Sequence, residues 1–179
     1  HYYTVPSGDW QHKGSATHFG EAQWIAAIHG ALRMDELITR HSAIMDKYDP
    51  QRRVALFVDE WGTWLDPEPG TNGAFLYQQN SLREALTAAI QLGIFHAHAE
   101  RVRMANIAQM VNVLQALLLT NGARMLRTPT YHVFAMYRGF QGATELPLEL
   151  RAPTYRYGET HVPGLYATAA RGGGVEAGH

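Results

Sequence analysis

The chain has 179 residues, 46% of them apolar and 17% charged, which suits a packed core and not a disordered segment. Its 15 basic and 16 acidic residues nearly cancel, so no net field recruits nucleic acid or an anionic membrane as a partner. The absence of cysteine excludes disulfides, thiolate nucleophiles and thiolate metal sites, and no apolar run approaches the ~20 residues of a membrane-spanning helix.

The first residues, His1-Tyr2-Tyr3-Thr4, resemble neither a signal nor a transit peptide. With no initiator methionine, the chain is expected to begin inside a longer protein, near the end of a strand. From Thr4 to Gly20 it is polar and turn-rich, with Pro6, Gly8, Gly14 and Gly20 and with Trp10, His12 and Lys13 spaced between them. So long a loop has raised odds of lining a site. A long amphipathic pattern follows from about Glu21 to Lys47, where Ile25, Ile28, Leu32, Met34, Leu37, Ile38, Ile44 and Met45 recur at helical spacing. Asp49-Pro50 ends it.

Next comes Arg53 to Trp64, in which five apolar residues, Val54 to Val58, run into Asp59, Glu60 and Trp61. Such a run predicts a parallel strand buried on both faces with Glu60 at its C-terminal end, where barrel and doubly wound folds carry out chemistry. A second loop spans Asp66 to Gly73, and Ser81-Leu82-Arg83-Glu84 is a capping box opening a helix. That helix is expected to bury Leu82, Ala85, Leu86, Ala89, Ile90, Ile94 and Ala97. Val102 to Ile107 reads as another strand, so the pattern is of successive β/α units. Val113 to Leu119 is too apolar to expose, but its period does not decide between helix and strand. Thr128-Pro129 supplies an N-cap and a proline for the first helical position, and Gly139 and Gly142 close the helix. Glu145 to Leu150 then alternates with the period of a strand, as if entering a β-domain, but the ~30 residues left fall short of the ~100 of a sandwich.

Glu60 carries the sharpest chemical reading. A carboxylate at that strand position can be catalytic, or it can cap a turn or pair with an arginine such as Arg101. Trp61 and Trp64 favour catalysis, because a carboxylate beside an aromatic wall suits a glycosidase and flat indoles stack on sugar rings. Asp59 is expected on the opposite side of the strand in a structural role. Ten histidines occur, but none has the spacing of a metal motif, and His96 and His98 face different ways on a helix. No metal or cofactor is expected.

Several motifs together resemble the family 51 glycoside hydrolases, the α-L-arabinofuranosidases. They are HYYT at His1–Thr4, ALRMDELI at Ala31–Ile38, VDEWGTW at Val58–Trp64, EPGTN at Glu68–Asn72, FLYQQN at Phe75–Asn80, RVRMANIAQ at Arg101–Gln109 and TPTYHVF at Thr128–Phe134. The resemblance covers residues 1 to about 157. It implies an α/β fold, the C-terminal portion (about strands 6 to 8) of a (β/α)8 TIM barrel over residues 1–142, with a truncated β-sandwich starting over 143–179. His1–Thr4 would end the sixth strand, Arg53–Glu60 would be the seventh and Val102–Gln109 the eighth.

The resemblance also implies retaining hydrolysis of terminal α-L-arabinofuranosyl groups by two carboxylates ~5 to 5.5 Å apart. Glu60 matches the nucleophile and Tyr3 a tyrosine whose hydroxyl positions it. Trp64 and Gln109 match residues lining the arabinose subsite, with His1 in the same wall. The family's acid/base glutamate belongs to an Asn-Glu pair on an earlier strand, and no Asn-Glu dipeptide occurs here. The chain alone is therefore expected to be inactive. The implied partner is an arabinofuranosyl oligosaccharide or polysaccharide, and the implied setting is a cytoplasmic homo-oligomer, a hexamer by resemblance. Two other readings stand beside this one, another retaining barrel glycosidase and a non-catalytic carbohydrate-binding remnant. The tail from Ala170 to His179 departs from the family pattern.

Overall fold

The computed structural model describes residues 1–172, so most of the tail, including Gly173 and Gly174, lies outside the described residues. The centre is a parallel three-stranded sheet in chain order: β1 (Tyr2–Thr4), β2 (Leu56–Thr63) and β3 (Val102–Ile107). Parallel neighbours need crossovers, and two helices supply them: α1 (Glu21–Tyr48) between β1 and β2, and α2 (Leu82–Ala97) between β2 and β3.

The termini of these helices follow their sequence signals. At α1, the Gly20 N–H donates to Gln23 Oε1 at 3.0 Å, and Asp49 accepts the C-cap role. At α2 the capping box forms as expected, with Ser81 N–H donating to Glu84 Oε2 at 2.6 Å and Arg83 N–H to Ser81 Oγ at 3.3 Å. α1 buries Ile25, Ala27, Ile28, Ala31, Met34 and Ile38. On α2 the expected apolar face needs correction. Leu82 and Leu86 are exposed, and the buried side is Ala85, Ala88, Ile90, Ile94 and Phe95 with Thr87 and Gln91 among them.

The central strand also differs from the expected one. It starts at Leu56 and runs to Thr63, three residues past Glu60, and it is not buried on both faces, because Phe57 is exposed. The shift has a visible cause. Arg101, wholly buried, donates from Nη1 to the Val54 carbonyl at 2.8 Å and to Asp49 Oδ2 at 2.9 Å, and pairs through Nη2 with Asp46. Val54 thereby serves as a tether ahead of the strand.

After β3, residues 113–117 are neither helix nor strand. A hairpin follows, β4 (Leu118–Asn121) with β5 (Arg124–Arg127), and then α3 (Pro129–Tyr137), whose N-cap Thr128 accepts from the Tyr131 N–H. The alternating stretch beyond it is strand only over β6 (Thr144–Leu146), which pairs antiparallel with β9 (Ala169–Arg171). Residues 147–150, whose sequence alternates, form no strand and are exposed. Between β6 and β9, β7 (Thr154–Tyr157) and β8 (Thr160–Pro163) form a second antiparallel pair. Val162 of β8 joins the main core beside Ile28 and Ile94, and the Tyr166 ring lies so close to Gly93 that an added Cβ there would sit 2.5 Å from it. The β-rich end is thus seated on the outer helices.

Candidate active site

The site grows from the register of the sheet. Tyr2, Tyr3 and Thr4 stand opposite Trp61, Gly62 and Thr63, which puts His1 level with Glu60. Between Val58 and Trp61, three steps along β2 match two along β3 from Ala105 to Ile107. This irregularity falls on Asp59 and Glu60, and an extra residue in a strand re-aims the side chains that follow it.

Glu60 Oε2 lies 3.0 Å from His1 Nδ1. The Tyr3 hydroxyl faces the Glu60 carboxylate. Burial first, then the neighbouring Glu60 carboxylate, pushes the Tyr3 pKa up to about 12, so the hydroxyl stays protonated across the working range. Arg101, the alternative partner for Glu60, is instead engaged by Asp46 and Asp49.

Trp64 follows β2, its N–H donating to the Thr4 carbonyl at 3.0 Å. Its indole meets the Tyr3 ring edge-on at 5.0 Å between centroids. Trp61 behaves otherwise and corrects the expectation of a second sugar platform. It is fully buried, edge-on to Phe95 of α2 at 5.2 Å and stacked on Phe134 of α3 at 6.1 Å, so it belongs to the core.

Gln109 is brought near by the Ala108 N–H, which donates to the Trp61 carbonyl at 2.9 Å. It is exposed and lines a cleft of about 610 Å³ with Phe75, Tyr77 and Asn112. His1 and Tyr3 border a different cleft, of about 690 Å³, with Trp10, His29 and Arg33. The structure therefore converges His1, Tyr3, Glu60 and Trp64, and leaves Gln109 on a neighbouring surface. Trp10 is a further wall residue, 54% exposed and edge-on to Trp64 at 5.7 Å. Its place in the long glycine-rich loop was the only sequence signal for it.

Beneath the site lies a buried amide network that sequence patterning did not reveal. Gln115 accepts from the Thr63 N–H at 2.7 Å and donates to the Glu84 carbonyl at 2.7 Å and to Thr130 Oγ1 at 3.1 Å. Gln78 accepts from the Leu65 N–H at 2.8 Å and donates to the Thr63 carbonyl at 3.1 Å. Gly62, with φ +150, lies against this network, and a Cβ there would meet Gln115 Oε1 at 3.4 Å. These bonds hold the end of β2 to α2, α3 and the following loop. Among the described residues, no group of three or more His, Asp or Glu side chains is placed to hold a metal ion.

A parallel β/α sheet thus carries a carboxylate faced by His1 and Tyr3, with the Trp64 indole beside them. The sequence profile of the alpha-L-arabinofuranosidase C-terminal domain matches residues 59–172, and the chain belongs to that family, the C-terminal part of the family 51 arabinofuranosidases. It is 46% identical over 172 residues to an intracellular exo-alpha-L-arabinofuranosidase of Bacteroides ovatus, covering 96% of this chain and 33% of that protein. The crystal structure of the family 51 arabinofuranosidase from Xanthomonas axonopodis pv. citri superposes with a TM-score of 0.93 at 62% identity, over 95% of this chain and 34% of that one. At 21% identity and a TM-score of 0.65, the Thermotoga maritima α-L-arabinofuranosidase, solved as an arabinose complex, shares the fold over 76% of this chain and 28% of its own. The chain spans about a third of the length of these relatives.

Proposed function

We propose that the chain supplies the nucleophile side of a retaining α-L-arabinofuranosidase site. Glu60 attacks the anomeric carbon of a terminal arabinofuranosyl group and forms the glycosyl-enzyme intermediate. A second carboxylic acid, contributed from outside residues 1–179, protonates the leaving oxygen and then activates the water that releases arabinose. Tyr3 and His1 hold the Glu60 carboxylate in line, while Trp64 walls the furanose and Gln109 reaches it from the neighbouring cleft. The observation that carries this reading is the convergence of Tyr3 and of His1 Nδ1, at 3.0 Å, on one carboxylate of β2.

In the same reading, residues 1–142 are the last three β/α units of an eight-stranded barrel and residues 143–179 open a β-sandwich. The crossover order β1-α1-β2-α2-β3 and the antiparallel strands from Thr144 onward support it. The exo action and intracellular setting in the name of the Bacteroides relative extend to this chain as part of the proposal.

The test uses a full-length polypeptide that carries these residues. Glu60→Ala is expected to abolish hydrolysis of an aryl α-L-arabinofuranoside while arabinose binding by calorimetry persists. Retained turnover by that variant, or robust turnover by residues 1–179 alone, overturns the assignment.

A further inference from the structure

The loop between β1 and α1 ought to be mobile by composition, yet two anchors from other elements pin it. Gly8 and Gly14 both have positive φ, and the loop carries no helix or strand of its own. The first anchor is Asp66, two residues beyond Trp64. Its Oδ1 accepts the Lys13 N–H at 2.9 Å, its Oδ2 accepts the Gly14 N–H at 3.0 Å, and its own N–H donates to the Gly14 carbonyl at 3.1 Å. The second anchor is buried Arg83 of α2, whose Nη2 donates to the Ser15 carbonyl at 3.1 Å and whose guanidinium lies 3.8 Å from the Phe19 ring centroid.

The anchors decide where Lys13 points. Its Nζ donates to the Trp10 carbonyl at 2.7 Å and sits over two indoles, 5.9 Å from the Trp10 centroid and 5.5 Å from that of Trp64. A cation over two ring faces attracts both, so Lys13 draws Trp10 of the loop against Trp64 of the β2 end. Trp64 in turn meets Tyr3, whose hydroxyl faces Glu60. A carboxylate accepting two backbone N–H groups is a charge-assisted clamp and so a stiffer tether than a water-bridged loop.

We propose that Asp66 is a positioning residue of the arabinofuranosidase site, holding the Trp10–Lys13 segment so that Trp10 and Trp64 form one fixed wall. The proposal rests on the reading given under Proposed function. Asp66 does not touch the reacting atoms, so its loss should fall on substrate binding and not on the chemical step.

The experiment compares the full-length enzyme with its Asp66→Ala and Asp66→Asn variants on 4-nitrophenyl α-L-arabinofuranoside, and follows trypsin cleavage after Lys13. Asp66→Ala is expected to raise KM about tenfold with kcat within about threefold, the range that loosened substrate positioning produces. Asp66→Asn, which keeps one acceptor oxygen, should lie between wild type and alanine, and cleavage at Lys13–Gly14 should quicken in the same order. A KM for Asp66→Ala within twofold of wild type overturns the proposal, even if cleavage quickens, because the clamp is then only a brace for the loop. If the alanine variant does not fold, the asparagine variant carries the same criterion. Should the unmodified enzyme fail on arabinofuranosides altogether, the functional reading falls and the positioning role falls with it, whatever the cleavage rates; an active enzyme whose KM ignores Asp66 overturns the positioning role alone.

Discussion

Tyr3→Phe isolates one atom of the site. The phenyl ring that meets Trp64 edge-on at 5.0 Å is kept, and only the hydroxyl facing Glu60 is removed. A hydrogen bond to a charged group contributes about 1.5–3 kcal/mol. The Glu60 side chain is 39% exposed and retains His1 Nδ1 at 3.0 Å, so water can partly replace the lost donor and the carboxylate stays tethered on one side. The expected loss is therefore about 1–2 kcal/mol of transition-state stabilisation, or about 5- to 30-fold in kcat/KM. The assay is steady-state hydrolysis of an aryl α-L-arabinofuranoside by the full-length enzyme, with thermal unfolding of both proteins as a control. A change below twofold would refute the idea that the hydroxyl positions the nucleophile. So would a rate loss accompanied by a collapse in Tm, which would mean that the hydroxyl supports the fold.

Gln115→Ala strands the buried Thr63 N–H, while the Glu84 carbonyl keeps its bond from Thr87 Oγ1 at 2.8 Å, and one orphaned buried group costs about 1–3 kcal/mol. Chemical denaturation should report a loss of about 1–3 kcal/mol, and a loss below about 0.5 kcal/mol would count against the network as a brace. Acid sensitivity should have two components. Burial lowers the His96 pKa below 6.5, so the folded chain binds fewer protons than the unfolded one, and stability present above pH 6.5 declines as pH falls. His96→Phe, which keeps the stack on Phe140, should flatten the denaturation midpoint between pH 5 and 6.5. Further down, Asp46 is held below 3.8 first by its bond to Arg52, and Asp49 first by the Val54 N–H. Their contribution is present above pH 3.8 and disappears as each protonates. At the other extreme, Tyr3 favours the neutral folded form, a contribution present below pH 10 and lost as pH rises towards about 12. Near-ultraviolet titration of wild type against Tyr3→Phe checks this.

Local chemistry explains what was legible in the chain. The capping box at Ser81, the threonine-proline start of α3 and the strand at Val102–Ile107 depend on neighbours within a few positions, and they appear where the sequence puts them. The family was legible too, because its motifs are spread along most of the chain. Two near-identical side chains mark where this kind of reading stops. Trp61 and Trp64 both follow the carboxylate on β2, yet one is sealed between Phe95 and Phe134 while the other faces the site. Period-two alternation assumes a regular strand, and the register irregularity between Val58 and Trp61 breaks it.

By itself, then, the sequence determined the β/α order, the helix ends and the family. Only the tertiary structure decided where the central strand begins, because Arg101, 47 positions further on, captures the Val54 carbonyl. It alone decided that Gln115 knits β2 to α2 and α3, and that Asp66 fastens a loop more than fifty residues earlier. These are contacts between groups distant in the chain, formed when folding removes water from polar atoms that must then find one another.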